Sequence, residues 1–272
     1  MRVAVTGATG LAGYPIAAHL AGLGHDIITL GRRPASADWE HVNWALGDRP
    51  RLVCDALVHC AFDHVPGRYR GGEGDDPERF LRLNGDGSRH LFDGMGDARI
   101  VFLSSRAVYG DRPGTTLVED MLPLPDTLYG RLKLATEGEV ASRRGVSLRA
   151  TGIYGPPPPG RDHKWAGLFA DFAAGRSIAP RVATEVHGDD LGAAVALALD
   201  RDIPEVLNVS DILLDRRDLL TTYAAVSGRT GHLPPPGDPA SVSAMDCGRL
   251  HTMGWTPRGL HGLSDAIRMM IR

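Results

Sequence analysis

A tyrosine and a lysine stand four residues apart in the segment YGRLK, where their side chains could transfer a proton together. Tyr129 and Lys133 belong to a helix-patterned stretch, 129–144, so this spacing places both side chains on one helix face. A neighbouring ammonium favours the charged phenolate, which would let Tyr129 act as a general acid or base nearer neutral pH than its ordinary pKa of ~10 allows. Ser105 ends the apolar stretch RIVFLSS, where its hydroxyl could hydrogen-bond a substrate oxygen. The sequence therefore predicts a catalytic group of Ser105, Tyr129 and Lys133.

Three glycines lie between the first strand-like segment and the first helix-like segment, in VTGATGLAG. Gly7 permits a tight turn, Gly10 lets the backbone approach a pyrophosphate, and Gly13 lets the helix pack closely on the sheet. The anion would then lie on the N–H groups at the helix N-terminus. A plain glycine-rich turn is the alternative, but the strand before it and the helix after it favour dinucleotide binding.

The second strand-like segment, DIITLGRRP, indicates which dinucleotide is bound. It ends with Gly31, Arg32 and Arg33, at the place where an acidic residue would hydrogen-bond the 2′-hydroxyl of a ribose. A guanidinium instead favours a 2′-phosphate, because it can form charge-assisted and often bidentate hydrogen bonds to it. We therefore predict NADP(H) rather than NAD, with Arg32 as the main contact. A solvated pair of loop arginines is the alternative.

Short β-branched stretches alternate with helix-patterned segments along much of the chain. Strands are predicted at RVAVT, DIITLG, ALVHCA, RIVFLSS, VSLRAT and EVLNVS. Helices are predicted over residues 77–92, 129–144, 189–199, 216–226 and 260–271. This alternation is typical of a parallel sheet covered by helices on both faces. The predicted fold class is α/β, a doubly wound parallel sheet (Rossmann) with a smaller C-terminal substrate-binding lobe.

The alternation weakens after about Thr151, which indicates a second part of the chain. The proline run GPPPPG, residues 155–160, is a stiff bend because proline fixes φ and has no N–H. We expect an NADP-binding Rossmann domain over residues 1–155 and a smaller substrate lobe over 156–272. Segments such as 183–210 are expected to return to the Rossmann core.

The composition argues against several classes of protein. Thirty Lys and Arg against 33 Asp and Glu give a net charge of −3 without a basic run, so nucleic acid is not an expected partner. The three cysteines have no CxxC spacing, which suits a reducing compartment and argues against structural zinc. No charged leader precedes an apolar segment, and no apolar run approaches the ~20 residues of a membrane span. We expect a cytoplasmic protein without a membrane partner. No metal is predicted, because the histidines lack metal-ligand spacing.

Motifs along nearly the whole chain resemble those of one enzyme family. In order they are TGATGLAG, DALVHCA, NGDGSRHL, SSRAVYG, YGRLK, LRATGIYGP, VHGDDLGAAV, LNVS and GWTP. On these motifs the chain resembles an extended short-chain dehydrogenase/reductase of the NAD(P)-dependent epimerase/dehydratase family. The resemblance implies that Ser105 orients the substrate oxygen, that Tyr129 transfers the proton, and that Lys133 grips the nicotinamide ribose.

The same resemblance implies a set of cofactor contacts. Asn84 would lie near the nicotinamide and the substrate, and Asp48 would contact the adenine. The alternative for Asn84 is a residue on a helix surface, and the alternative for Asp48 is a residue that forms a turn. The other predicted cofactor-binding residues are Gly7, Thr9, Gly10, Leu11, Arg32, Arg33, Cys60, Ala61, Ser104, Lys133 and Ile153.

Departures from the family pattern narrow the expected chemistry. Arg106 and Ala107 stand where dehydratases of the family carry an acidic pair, so dehydration is disfavoured. Many nucleotide-sugar enzymes of the family carry Asn at the position of Gly152, so a nucleotide-sugar substrate is not favoured. Arg106 also stands where the family usually has a small residue, and the resemblance places this position near the substrate. Together with Arg161, its side chain could bind a carboxylate or phosphate of the substrate. The alternative for Arg106 is a structural role, in which it pairs with an acidic neighbour.

The leading hypothesis is an NADP-dependent oxidoreductase. It would transfer a hydride between nicotinamide and a carbonyl or secondary alcohol of a small polar, sugar-derived or anionic substrate, with Tyr129 as general acid/base. A sugar epimerase and a non-catalytic NADP(H) sensor are the alternatives, and NAD is the less expected cofactor. The glycine-rich loop 63–76 could close over the substrate. A homodimer through the helices that carry Asn84 and Tyr129 is left open by the resemblance.

Overall fold

Short strands rich in Val, Ile, Leu and Ala build the sheets of the protein. The computed structural model describes residues 1–65, 71–200, 203 and 205–272. Its strands are β1 (Arg2–Thr6), β2 (Asp26–Gly31), β3 (Glu40–Asn43), β4 (Ala56–His59), β5 (Arg99–Ser105), β6 (Thr116–Leu117), β7 (Val146–Ala150), β8 (Gly152–Tyr154), β9 (Val182–His187), β10 (Val206–Val209), β11 (Ile212–Asp215) and β12 (Ala244–Met245). Seven of them form a parallel sheet in the order β10-β7-β5-β4-β1-β2-β3. The strand order reverses between β1 and β4, which is where sheets of this kind bind ligands.

Helices connect these strands. They are α1 (Gly13–Gly22), α2 (Pro77–Leu81), α3 (Gly87–Asp93), α4 (Leu128–Ala141), α5 (Ala166–Ala173), α6 (Gly188–Asp200), α7 (Arg216–Ser227), α8 (Gly248–Thr252) and α9 (Leu263–Met270). Of these, α1, α3, α4 and α6 cover the main sheet. A π-helical turn, Arg82–Asp86, joins α2 to α3, so the helix predicted over 77–92 is interrupted. Among the described helices, none has both the length and the apolar character that a bilayer span requires.

Side chains of one strand point alternately to the two faces of the main sheet. Val3 of β1 packs with side chains of α1 and α6 in one buried cluster. Its neighbour Ala4 packs with Phe92 of α3 and Val140 of α4 in another. The predicted doubly wound parallel sheet is therefore confirmed, and its carboxyl edge carries the ends of β1, β4 and β5.

Two smaller sheets and a cluster of three helices lie outside the main sheet. Strands β8, β9 and β11 pair in one sheet, and β6 pairs with β12 in another. Helices α5, α7 and α9 share a buried cluster in which the rings of Phe169 and Tyr223 stack at 4.0 Å between centroids. Within the segment 183–210, β10 joins the main sheet beside β7 and α6 packs on α1. The expected division at residue 155 stays a prediction.

Candidate active site

The glycine-rich turn after β1 requires glycine at two positions. Gly7 has a φ of +69°, and a Cβ atom there would lie 2.9 Å from the backbone nitrogen of Ala61. A Cβ atom at Gly13, the first residue of α1, would collide with the carbonyl group of Gly7. The N–H of Gly10 donates to the carbonyl oxygen of Gly7 at 2.9 Å. The turn thus brings the N-terminus of α1 against the ends of β1 and β4, a geometry that suits a bound pyrophosphate.

A chain of buried hydrogen bonds runs from β1 to the helix that follows β4. The hydroxyl oxygen of Thr6 accepts the backbone N–H groups of Cys60 at 3.1 Å and Ala61 at 3.0 Å. These two bonds occupy both lone pairs of the oxygen. The hydroxyl therefore donates its own proton to Nδ1 of His59, 2.8 Å away. Nε2–H of His59 then donates to Oγ of Ser88 at 2.9 Å. Burial lowers the pKa of His59 to about 3, so the imidazole stays neutral in this tautomer.

Asn84 lies in the π-helical turn and holds the loop that leaves β4. Its Oδ1 accepts the N–H of Asp63 at 2.7 Å, and its Nδ2 donates to the carbonyl oxygens of Asp63 and Phe80, both at 2.9 Å. Its backbone carbonyl accepts the hydroxyl of Ser88 at 2.5 Å. Asn84 is 1% exposed, so it is not a helix-surface residue. Its amide fixes the backbone beside the catalytic group, while its predicted proximity to the nicotinamide stays a prediction.

The elements that carry the predicted catalytic residues meet where β5 ends against the start of α4. A Cβ atom at Gly130 would lie 2.5 Å from the carbonyl oxygen of Ala107, so glycine at this position lets α4 approach the 3₁₀ turn 106–109. Ser105 caps that turn by accepting the N–H of Ala107 at 3.2 Å. Tyr129 precedes Gly130 and is 9% exposed. The structure thus brings the elements that carry Ser105 and Tyr129 into contact.

Lys133 is a buried ammonium group one helical turn after Tyr129. Its Nζ donates to the carbonyl oxygen of Leu103 in β5 at 2.7 Å. The same atom lies 4.2 Å from the ring centroid of Phe62 and 4.5 Å from that of Phe102. Burial lowers the pKa of Lys133 to about 7. The lysine therefore lies against the end of β5 on the helix face that carries Tyr129.

Phe62 belongs to this group, although its residue type does not mark it in the sequence. It directly follows the strand segment ALVHCA, and neither its type nor its spacing distinguishes it from an ordinary apolar residue. Its half-buried ring contacts the ring of Tyr129 nearly edge-on, with centroids 5.2 Å apart. Its position just beyond the carboxyl end of a central strand is the one signal that could have found it.

Ser104 is bonded to a buried ion pair. Its hydroxyl donates to Oε1 of Glu137 on α4 at 2.5 Å. Oε2 of Glu137 accepts Nη2 of Arg149 on β7 at 2.7 Å, and both side chains of the pair are at most 5% exposed. The pair joins α4 to β7 and fixes the helix that carries the predicted catalytic residues. Because the hydroxyl of Ser104 donates to Glu137, its predicted cofactor contact stays a prediction.

The remaining predicted cofactor residues lie near the carboxyl edge or beyond it. Arg32 and Arg33 are exposed directly after β2. Oδ2 of Asp48 accepts the N–H of Ala45 at 2.8 Å. This bond closes a turn, which is the role expected of Asp48 if it does not contact the adenine. Thr9 is partly exposed in the glycine-rich turn. The structure thus gives Arg32 and Arg33 access to a ligand and uses one carboxylate oxygen of Asp48 within its own turn.

A cavity of about 550 Å³ lies between α1 and the segment after β8. Leu11 and Ile153 line it, as do Lys164, His187 and Arg258. Among the described lining residues there is none of the predicted catalytic group. The structure therefore places Leu11 and Ile153 at a cavity distinct from the group around Tyr129.

The two predicted substrate arginines lie on different elements. Arg106 begins the turn after β5, and its Nη1 donates to the carbonyl oxygen of Ser243 at 2.9 Å. Arg161 is exposed in the loop after the proline run, where its N–H donates to the carbonyl oxygen of Pro158 at 3.1 Å. Their role toward an anion stays a prediction. Residues 66–70 of the loop expected to close over the substrate lie outside the described residues.

One cluster of described residues has the composition of a metal site, with ligand atoms of His187, Asp189 and Asp190 within 4.8 Å of one another. Arg258 binds both carboxylates, at 2.7 Å to Asp189 and 3.0 Å to Asp190. His19 also contacts Asp189, at 2.7 Å. Nδ1 of His187 accepts the N–H of Asp189 at 3.1 Å, and burial lowers the pKa of His187 to about 4. The cluster is therefore an ion-pair network in which both carboxylates already bind a cationic side chain.

Comparisons with known proteins bear on this arrangement. The model of the NAD dependent epimerase/dehydratase family matches residues 3–210. The dTDP-6-deoxy-L-talose 4-dehydrogenase (NAD(P)(+)) of Kitasatospora kifunensis is 29% identical, across 98% of this chain and 93% of that enzyme. The UDP-glucose 4-epimerase of Streptomyces lividans is 31% identical, across 68% of this chain and 63% of that enzyme.

Solved structures share the whole fold. The structure of MoeE5 in complex with UDP-glucose and NAD superposes with a TM-score of 0.80 at 24% identity. The superposition covers 100% of this chain and 99% of that one, so the main sheet and the smaller sheets have counterparts there.

Proposed function

This chain belongs to the NAD-dependent epimerase/dehydratase family, and we propose that it is a dehydrogenase that transfers a hydride between a nicotinamide dinucleotide and a carbonyl or secondary alcohol. The observation that carries the proposal is the placement of Tyr129 and Lys133 one turn apart on α4, against the end of β5. Ser105 caps the turn that contacts this helix. A phenol, an ammonium and a hydroxyl at one sheet edge can hold a carbonyl oxygen and exchange a proton with it.

The residues of the glycine-rich turn fit a dinucleotide. The turn is closed without side chains, and the N-terminus of α1 presents backbone N–H groups where a pyrophosphate would lie. When bound, the nicotinamide supplies or accepts the hydride. Arg32 and Arg33, exposed after β2, support a preference for the 2′-phosphate of NADP. MoeE5 is solved in complex with NAD, so the proposed preference for NADP depends on these two arginines.

The roles of the catalytic group follow from their chemistry. Tyr129 donates the proton from Oη during carbonyl reduction and accepts it during alcohol oxidation. The positive charge of Lys133 stabilises the phenolate form of Tyr129, because an opposite charge nearby favours the ionised form of an acid. Ser105 orients the oxygen that receives the proton.

For the substrate we propose a small polar molecule, sugar-derived or anionic. At Gly152 a Cβ atom would collide with Nζ of Lys164 and the carboxylate of Glu185, which form an ion pair. A side chain at Gly152, such as the asparagine of many nucleotide-sugar enzymes of the family, would displace these groups. Arg106 and Arg161 would supply the positive charge toward an anion.

A sugar epimerase is the second candidate, supported by the likeness to the Streptomyces lividans enzyme. An epimerase returns the hydride to the substrate, so the nicotinamide absorbance would stay flat while the substrate is converted. A dehydrogenase changes that absorbance in proportion to turnover. Measuring product and absorbance together separates the two.

Three further parts of the proposal concern the setting of the enzyme. We propose a cytoplasmic location, supported by the free thiols of Cys54, Cys60 and Cys247. We also propose a homodimer through the helices that carry Asn84 and Tyr129, which light scattering of the purified protein would test. We propose a small-molecule substrate without a nucleic-acid or membrane partner.

The decisive experiment combines cofactor titration with a substrate panel. NAD and NADP are titrated first, and Arg32→Asp should lose NADP affinity while it keeps NAD affinity. A panel of carbonyls, sugar acids and nucleotide sugars is then followed at the nicotinamide band. Tyr129→Phe should lower kcat about 10²- to 10⁴-fold with cofactor affinity retained. Tyr223→Phe, in the distant core of α5, α7 and α9, is the matched control. Full turnover by Tyr129→Phe would contradict the proposal.

A further inference from the structure

The ammonium group of Lys133 is enclosed by aromatic rings. Its Nζ lies 4.2 Å from the ring centroid of Phe62 and 4.5 Å from that of Phe102. It also donates to the carbonyl oxygen of Leu103 at 2.7 Å. A carbonyl and two ring faces therefore surround the ammonium and leave a limited range of directions for a further acceptor.

We propose that Phe62 is a positioning residue, whose ring holds the ammonium of Lys133 in the orientation that binds the nicotinamide dinucleotide. Phe102 belongs to the central strand β5, so its ring is part of the buried core. Phe62 belongs to the loop after β4 and is half-buried, so its ring forms the more exposed side of the enclosure. The inference rests on the proposed function, which assigns Lys133 to the ribose of the dinucleotide.

The backbone on both sides of Phe62 is fixed. On one side the N–H groups of Cys60 and Ala61 donate to the hydroxyl of Thr6. On the other side the amide of Asn84 bonds both the N–H and the carbonyl oxygen of Asp63. A ring between two such anchors keeps its place, because the loop cannot shift without breaking these partly buried hydrogen bonds.

The ring also contacts two aromatic neighbours. Its centroid lies 5.2 Å from that of Tyr129 and 5.6 Å from that of Phe80, and both contacts are close to edge-on. Phe62 therefore contacts Tyr129 and Lys133 at the same time. Phe80 contacts the same ring and belongs to the buried cluster with Tyr129 and Leu132 against which Phe62 packs.

The ring of Phe62 acts on the ammonium in two opposite ways. Its face attracts the positive charge, and its volume excludes water that would solvate that charge. Other titratable groups surround the ammonium: His59 and Cys60 at the end of β4, His64 in the following loop, and Tyr129 and Glu137 on α4. All of them remain in a variant of Phe62, so a change in titration reports the ring.

Two substitutions separate these effects. Phe62→Leu keeps most of the apolar volume and removes the aromatic face, so the pKa of Lys133 should fall. Phe62→Ala opens the enclosure to water, so the pKa of Lys133 should rise. Because the charged lysine binds the ribose, cofactor affinity should decline with rising pH around this pKa, and the midpoint should move in opposite directions in the two variants.

The measurement is the Kd of whichever of NAD and NADP binds more tightly, titrated directly without substrate at pH values from 6 to 9. Phe62→Leu should raise Kd about 3- to 30-fold at pH 6, the range expected for loss of a buried cation–π contact. Phe62→Tyr retains the ring face and should bind within about twofold of the unsubstituted protein. The cation–π contacts of Lys133 are with the rings of Phe62, Phe102 and Tyr129, so Phe80→Leu, which keeps apolar volume beside Phe62, is the matched control and should leave the midpoint in place.

The outcomes distinguish this inference from the proposed function. If cofactor binds but both Phe62 variants shift the midpoint in the same direction, or match Phe80→Leu, the ring only packs and the inference is overturned. If the unsubstituted protein binds neither NAD nor NADP, the proposed function and the inference fail together. Circular dichroism identifies a misfolded variant, and if Phe62→Ala is misfolded the comparison of Phe62→Leu with Phe62→Tyr decides.

Discussion

Removal of the Glu137 carboxylate would test whether the buried ion pair holds the catalytic helix in place. The side chains of Glu137 and Arg149 are 5% and 4% exposed, with 2.7 Å between Oε2 and Nη2. In Glu137→Ala the guanidinium stays buried without its carboxylate, a change that costs about 3–5 kcal/mol. The hydroxyl of Ser104 also loses its acceptor, which adds about 1 kcal/mol. We expect the free energy of unfolding to fall by about 4–6 kcal/mol, a large part of the ~5–15 kcal/mol typical of a folded domain.

The assay is urea unfolding followed by circular dichroism, with a control on the same helix. Glu139 pairs with Arg143 through side chains that are 36% and 27% exposed. Glu139→Ala should therefore change the free energy of unfolding by about 1 kcal/mol or less. The double variant Glu137→Met, Arg149→Met should recover most of the loss, because no buried charge is left unpaired.

Two results would refute this reasoning. A loss below about 1 kcal/mol in Glu137→Ala, equal to that in Glu139→Ala, would mean that water or a rotated side chain compensates Arg149. A double variant no more stable than Glu137→Ala would mean that the loss comes from packing and not from the unpaired charge. Cofactor affinity of Glu137→Ala, measured where the variant is still folded, shows whether α4 has moved.

Other residues of the site give further predictions. Gly7→Ala should lose about 1–3 kcal/mol of stability and most of the cofactor affinity, because φ is +69° and the added Cβ meets backbone; unchanged Tm and Kd would contradict this. Asn84→Ala leaves the partly buried backbone groups of Asp63 without these partners and should cost about 2 kcal/mol in urea unfolding, whereas Asn84→Asp should cost more, because a carboxylate oxygen in place of Nδ2 cannot donate to the carbonyl oxygens of Asp63 and Phe80 and brings a charge into a buried site. His59 is protonated near pH 6.5 when unfolded but only near 3 when folded, so stability should fall by ~1.4 kcal/mol per pH unit between pH 6 and 4. His59→Gln should flatten that decline in urea unfolding at several pH values, and an unchanged slope would count against a buried neutral imidazole.

Local sequence pattern predicts the parts of the fold that depend on local physics. The first strand, the glycine-rich turn and α1 follow from apolar periodicity and from the conformational freedom of Gly7. The strand RIVFLSS and the helix that begins near Tyr129 are found where the pattern places them. Strands β8, β9 and β11 carry no such signal, because the two shortest have three and four residues and their pairing depends on distant partners.

The environment of the catalytic lysine is not predictable from its own segment. Spacing predicts that Tyr129 and Lys133 share a helix face, and the structure agrees. The ring over the ammonium, however, belongs to Phe62, which is 71 positions earlier in the chain, and its contact depends on how the loop after β4 is held. Likewise the serine pair of RIVFLSS has two different surroundings: Ser104 donates to Glu137 while Ser105 caps a turn. Such differences arise from tertiary packing, which periodicity does not encode.

The hydrogen bonds around His59 couple the glycine-rich turn to the catalytic group. Thr6 directly precedes Gly7 and accepts the two N–H groups that follow β4. Through His59 and Ser88 the same chain reaches Asn84, whose amide holds the backbone just beyond Phe62. The hydroxyls of Thr6 and Ser88 and the neutral ring of His59 each have one proton to donate. The direction of the bonds from Thr6 to Asn84 is therefore determined, and none can be reversed without leaving a buried group unpaired. The turn suited to a pyrophosphate and the ring beside Lys133 are therefore held by one network, so a substitution at Thr6 should disturb both.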